Sequence, residues 1–269
     1  MKKSNRDVVL LLTACVSPNS DDSGPVGLDG LRRAEYVKTA RWYIENTPYK
    51  VLLCENSGTD LSDDLAKVRR GGYEILTFTA EKMPPNRSKG YGELSIIEYA
   101  LAQSETLRAC KSDDIIVKIT GRLILLNIVD IVERLKKRAK TGPFVSAYVN
   151  GHKGGSDCRF IFATSDFFKR LTALKEHLWH GFNFERATSH VAFAMMREGS
   201  TRLVFPSLPA RVSGQSGSRI TVYDITDRQY LRLRLRHAVR KLLFDVGILP
   251  LEATMDAMMT IPAMPDELR

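Results

Sequence analysis

The chain lacks three things that would have fixed its class at once. No apolar run reaches the roughly 18–20 residues that a membrane-spanning helix needs. No cysteines are paired: Cys15, Cys54, Cys110 and Cys158 are scattered without a CxxC spacing. That pattern argues against a zinc site or a disulfide framework and fits small buried thiols in a reducing cytosol. No Walker A or GxGxxG sequence is present, and there is no internal repeat or clear linker. The histidines show no metal-ligand spacing, and the pair His177 and His180 has no convincing carboxylate partner. Acidic residues are also in deficit, 31 against 40 basic ones, for a net charge of +9. An anionic partner is therefore expected, whether nucleic acid, a membrane surface or a phosphorylated metabolite.

What is present reads as a globular α/β protein: 269 residues, 43% hydrophobic and 26% charged. The basic start followed by the apolar stretch 8–16 superficially resembles a secretory signal. A threonine and a cysteine interrupt that stretch, and no small-x-small cleavage site follows, so it reads as a buried strand and the protein as cytoplasmic. Strands are expected at 8–16, 50–54, 73–79 and 114–119, and helices at 31–46, 61–70, 94–110 and 127–139. Gly71-Gly72 is expected to close the second helix. Strands separated by helices imply a mostly parallel, Rossmann-type sheet flanked by helices. The second half is less regular. A strand pair is expected at 144–149 and 159–163 across a loop at 151–157, then helices at 166–180 and 185–198 and a short strand at 202–205. A Gly/Ser-rich loop at 211–219 and a basic amphipathic helix at 229–246 complete the chain. The expected division is a nucleotide-binding half, 1–150, and an acceptor-side half with a C-terminal helical extension, 151–269, in what reads as one continuous domain.

Parallel sheets bind ligands beyond the carboxyl ends of their strands, so the residues at four successive strand ends are the candidates. They are Thr13 and Ala14; Glu55 and Asn56; Lys89, Gly90 and Gly92 with Glu93; and Lys118, Thr120, Gly121 and Arg122. The segment 88–93 reads as a glycine-bearing anion loop ahead of a helix N-terminus, or as an ordinary turn. Lys118 and Thr120 alternate to one face, and a lysine in a central strand invites a diphosphate-neutralising role, since an unpaired buried ammonium is costly. Arg211, Ser213, Gly214, Ser216 and Gly217 form either a phosphate-closing loop or a surface loop. Among the carboxylates, Glu185 is a candidate general base or a favourable first-turn charge, and Asp166 is the reserve candidate or an N-cap.

The ordered set 11–16, 53–58 with 60–62, 89–93 and 118–122 resembles a family of small bacterial glycosyltransferase-like proteins of surface-polysaccharide gene clusters, with a GT-A-like nucleotide-sugar fold. The loop 213–217 resembles the same family's late Gly/Ser motif, and the likeness spans roughly residues 7–220. It implies a nucleotide-sugar donor and transfer to a hydroxyl of a glycan or a polyprenyl-linked glycan. In GT-A enzymes the strand ending here in 118–122 would end in a metal-binding Asp-x-Asp motif, which this sequence lacks. Lys118 and Arg122 are expected to stand in for the metal, Glu55 and Asn56 to contact base or ribose, and Glu185 or Asp166 to deprotonate the acceptor. No cofactor beyond the donor is expected, and a divalent metal is disfavoured rather than excluded. The basic helix suggests peripheral contact with anionic membrane. The alternative from another class is a non-catalytic nucleic-acid-binding protein, which accounts for the charge but not for the four strand ends.

Overall fold

Val8–Ala14 forms β1, buried at every position, as a strand paired on both edges and covered on both faces must be. The computed structural model describes residues 6–18, 29–68, 71–84, 86–139, 142–150, 155–215, 222–224 and 226–245. After β1 the chain forms α1 (Asp29–Asn46), β2 (Lys50–Glu55), α2 (Ser62–Leu65), β3 (Tyr73–Thr77), α3 (Lys89–Gln103) and α4 (Glu105–Arg108). It continues through β4 (Ile115–Thr120), β5 (Leu123–Leu125), α5 (Ile128–Ala139), β6 (Phe144–Asn150), β7 (Gly155–Ala163) and α6 (Ser165–Thr172). The last described elements are α7 (Phe184–Arg197), β8 (Arg202–Leu203), β9 (Val212–Gln215), β10 (Val222–Asp224) and α8 (Asp227–Asp245).

The main sheet runs β3-β2-β1-β4-β7-β6-β8. β1, β2, β3 and β4 are mutually parallel, and β8 runs parallel to β6. β7 runs antiparallel to both β4 and β6, which turns the amino end of β7 toward the carboxyl ends of β1 and β4. A second sheet, β10-β9-β5, is antiparallel. The fold is thus α/β, with a mostly parallel central sheet flanked by helices. β6 and β7, on either side of residue 150, pair with each other in the main sheet.

Strand alternation assigns the two faces. Leu10, Leu12, Val117 and Ile119 enter one core with Tyr36, Tyr43, Ile131 and Leu135 from α1 and α5. Leu11, Ile116 and Ile161 enter the other with Ile97, Phe167 and Val191 from α3, α6 and α7. On this second face the alternation places Lys118 and Thr120 of β4 beneath α3.

Several boundaries differ from the sequence expectation. α3 begins at Lys89, not 94, so the expected anion loop is largely a helix's first turn. The stretch 94–110 breaks at Ser104, which ends α3 and caps α4 through a hydroxyl that accepts from the Leu107 N–H at 3.0 Å. The helix expected at 61–70 closes after Leu65, and Gly72, at φ 95°, belongs to the turn into β3. β7 begins at Gly155, four residues before the expected start, and part of the expected loop at 211–219 is the strand β9. The final helix lies close to its expected place and opens with a capping box. The Thr226 hydroxyl accepts from Gln229 N–H, and Thr226 N–H donates to the Gln229 side chain.

Candidate functional site

A crevice of about 530 Å³ opens at the carboxyl ends of β1, β2 and β4. Its floor is Thr13, Ala14, Asn56, Lys118 and Thr120. α3 contributes Lys89, Gly92 and Glu93, α1 contributes Arg32 and Tyr36, and Arg122 follows β4. The antiparallel β7 adds Ser156, Asp157, Cys158 and Arg159 from its amino end, α7 adds Phe184 and Glu185, and β10 adds Tyr223. Five cations (Arg32, Lys89, Lys118, Arg122, Arg159) thus face four carboxylates (Glu81, Glu93, Asp157, Glu185).

Lys118 is 1% exposed and has three acceptors for its three protons: Glu93, the Cys158 carbonyl at 2.8 Å and the Thr120 hydroxyl at 3.3 Å. Its ammonium also lies 5.2 Å from the Phe184 ring centroid. The Glu93 side chain, 26% exposed, accepts a second bond from the Thr13 hydroxyl at 2.7 Å. This cluster ties β1, β4, β7 and α3 together at the crevice floor. Lys118, expected to neutralise a diphosphate, lines the crevice with its three N–H groups facing these acceptors of the chain, Glu93 among them. Arg122 pairs with Glu35 of α1 at 3.1 Å over the Tyr36 ring, and burial pushes the Tyr36 hydroxyl pKa up to about 12. Arg122 also lines the crevice.

Asp157 and Arg159 were not singled out from sequence. Arg159 grips Asp157 through Nε at 2.8 Å and Nη2 at 2.5 Å, and its guanidinium stacks over Tyr223 at 4.9 Å. The available signal was two charges at alternate positions in an otherwise apolar strand. Reading 151–157 as loop hid it. The β6–β7 pairing shifts register between Ser146 and Tyr148, and Asp157 and Arg159 line the crevice while Phe160 and Phe162 lie in the core.

The other candidates fall into distinct places. Glu55 is fully buried, and its carboxylate accepts from Val16, Ser57 and Thr59 N–H groups and the Ser57 hydroxyl. It organises the two loops after β1 and β2 and does not line the crevice. Asn56 lines it, 8% exposed, and its amide oxygen is buried without a hydrogen-bond partner among the described residues. Gly90 and Gly121 are packing glycines. A Cβ on Gly90 would meet Phe184 Cβ at 2.5 Å, and one on Gly121 would meet the Thr13 carbonyl at 2.5 Å. Gly92 has no such neighbour and faces the crevice.

Glu185, in the first turn of α7, is exposed and lines the crevice. Asp166, in the first turn of α6, is exposed outside it and pairs with Lys169 at 3.5 Å. Arg211 bonds Asp227 at 2.6 Å and stacks on Tyr230, anchoring α8 outside the crevice lining. Ser213 and Gly214 lie in β9; a Cβ on Gly214 would run into the Arg122 carbonyl, so this glycine permits the close approach to β5. Ser216 and Gly217 lie outside the described residues.

Among the described residues no group of three or more His, Cys, Asp or Glu side chains is arranged to hold an ion. Glu93 and Asp157, the carboxylates nearest the floor, each already hold an internal cation. Cys15, also in the lining, stays a thiol: burial, then the charge of Glu55, pushes its pKa up to about 12. Among the described residues no helix is long and apolar enough to cross a membrane.

No protein-family model matches the chain, and no curated protein matches it. Solved structures are similar to it at low identity. A mannosyltransferase from Pyrobaculum calidifontis, in complex with GDP-Man and Mn2+, is 12% identical over 96% of this chain and 71% of its own, with a TM-score of 0.48. A cytidylyltransferase from Leptospira borgpetersenii is 12% identical over 97% of this chain and 100% of its own, with a TM-score of 0.43. Mouse xyloside xylosyltransferase 1 in its apo form is 8% identical over 76% and 86%, with a TM-score of 0.43.

Proposed function

We propose that the crevice binds a nucleoside-diphosphate sugar and that the protein transfers the sugar to a hydroxyl group. The observation that carries this reading is the crevice itself, at the carboxyl ends of parallel strands. Its volume suits a ligand of that size, several cations line it, and two exposed carboxylates, Glu81 and Glu185, stand in its lining, Glu185 in the first turn of α7. Arg122, Arg159, Arg32 and Lys89 are the cations assigned to the diphosphate, and Asn56 to the nucleoside.

In the proposed reaction the acceptor oxygen attacks the anomeric carbon while its proton passes to Glu185. The bond from that carbon to the diphosphate breaks, and the nucleoside diphosphate departs with the electron pair. Fixed guanidinium groups stabilise the growing negative charge. Displacement of this kind inverts the anomeric centre and needs no metal. The proposed acceptor is a glycan or polyprenyl-linked glycan of surface-polysaccharide synthesis. That assignment rests on the resemblance of residues 11–16, 53–58, 89–93 and 118–122 to glycosyltransferases of such clusters.

The test is a thermal-shift series with UDP, GDP, CMP and dTDP, followed by transfer assays with the sugar donor of the nucleotide that stabilises most. Glu185→Gln should keep the nucleotide-dependent shift and lower kcat by about 10²–10⁴-fold. Loss of activity in EDTA with recovery in manganese would overturn the metal-free form of the proposal. Stabilisation by oligonucleotides alone, lost steeply with salt, would favour nucleic-acid binding instead.

A further inference from the structure

Helix α8 turns its apolar side away from the protein. Six large apolar side chains among the described residues are strongly exposed, and four belong to this helix: Leu231 (57%), Leu235 (66%), Val239 (59%) and Leu242 (61%). At about 100° per residue these four fall within an arc of about 80°. The docked side carries His237, 7% exposed, bonded to the Pro206 carbonyl at 2.7 Å, and Tyr230, bonded to the Asn127 amide at 2.8 Å. A helix on the surface of a globular protein usually has the opposite arrangement, apolar stripe inward and polar face outward.

Between its terminal residues the charges on α8 are of one sign. Arg228, Arg232, Arg234, Arg236, Arg240 and Lys241 lie between its terminal residues Asp227 and Asp245, with no acidic residue among them. Helical spacing puts Arg228 and Arg232 beside the outward stripe, with Arg236 next to them. We propose that this face docks on the surface of an anionic lipid bilayer, the leucines and Val239 entering the headgroup boundary and the arginines reaching the lipid phosphates. Charge complementarity selects this occupant. A second copy of the helix would set this stripe and its flanking arginines against the same cations, whereas an anionic leaflet neutralises Arg228, Arg232 and Arg236.

The docking does not depend on what the crevice binds. If the crevice takes the proposed donor, docking also has a use, because β10, just before α8, carries Tyr223 into the crevice lining. A docked α8 would hold that lining near a bilayer presenting a lipid-linked acceptor.

The experiment is co-sedimentation of the full chain with phosphatidylcholine vesicles, with and without phosphatidylglycerol. Binding is expected only with phosphatidylglycerol and should weaken as salt rises. Leu231→Asp with Leu235→Asp should lower vesicle affinity by at least about tenfold. Arg232→Gln and Arg236→Gln should each lower it by about fivefold. These positions are exposed, so the melting temperature should hold. As a second readout, a Leu235→Trp variant should shift its emission to the blue on adding anionic vesicles. Three results would overturn the proposal: no binding to anionic vesicles, binding indifferent to the leucine substitutions, or a solution dimer that those substitutions dissociate. A nucleotide-induced thermal shift is read separately, so the donor and docking proposals can fail independently.

Discussion

Removing Lys118 and removing Glu93 break the same ion pair but leave different remnants. Lys118→Met strands a carboxylate that is 26% exposed and still bonded to Thr13, so water and a hydroxyl share its charge. Glu93→Gln strands an ammonium at 1% exposure among neutral acceptors. An uncompensated buried charge costs roughly 3–5 kcal/mol, and a half-solvated one much less. Urea unfolding should therefore rank Glu93→Gln as the more destabilising; the opposite order would mean the lysine is not enclosed as described. At this scale the sequence showed that Lys118 was unusual. It did not show the carboxylate that answers it, because Glu93 comes from a helix 25 positions earlier in the chain, brought over the sheet by the crossover.

Between elements, the close approach of α3 to α7 hangs on Gly90. An added methyl would meet Phe184 Cβ at 2.5 Å and Phe184 N at 3.1 Å, the latter being backbone. Gly90→Ala should therefore separate the two helix starts that carry Glu93 and Glu185, lowering stability by about 1–3 kcal/mol. Gly92→Ala, with open space around its Cβ, should leave stability nearly unchanged, and paired thermal melts of the two variants make the comparison. A second prediction concerns α8. Burial lowers the pKa of His237 below its usual 6.5, against the bond to the Pro206 carbonyl and with help from Arg240 and Lys241. The unfolded chain then binds the proton more readily, so this contribution to stability is present above about pH 6.5 and falls as pH drops below it. Hydrogen-exchange protection factors in α8, referred to the intrinsic exchange rate at each pH, should fall on acidification. His237→Gln, which keeps an N–H for Pro206 without titrating, should flatten that dependence.

For the whole molecule, the crevice is assembled from stretches that span residues 13 to 223, so ligand binding should stabilise the chain as a unit. A nucleoside diphosphate at one hundred times its Kd should add about 2.7 kcal/mol and raise the melting temperature by several degrees. Arg159→Ala, which also frees Asp157 to repel the diphosphate, should reduce that shift more than Lys118→Met does. Equal losses in the two variants would remove the distinction drawn here between a ligand-facing and an internal cation.

The alternation of strands and helices up to residue 139, the buried first strand and the use of strand ends were all determined by the sequence, because hydrophobic period and chain punctuation are local properties. Thr13, Asn56, Lys118 and Arg122 were legible as crevice residues for the same reason: each follows or ends a recognisable strand. Only the tertiary structure reversed β7 and so brought Asp157 and Arg159 to the site, since strand direction depends on which neighbour a strand pairs with. It also divided the polar candidates. Glu55 proved to be a loop organiser, Gly90 and Gly121 packing positions, and Lys118 the partner of Glu93. A charge shows in the sequence, but whether it is already balanced depends on which side chains the fold brings within hydrogen-bonding distance, and those come from distant parts of the chain.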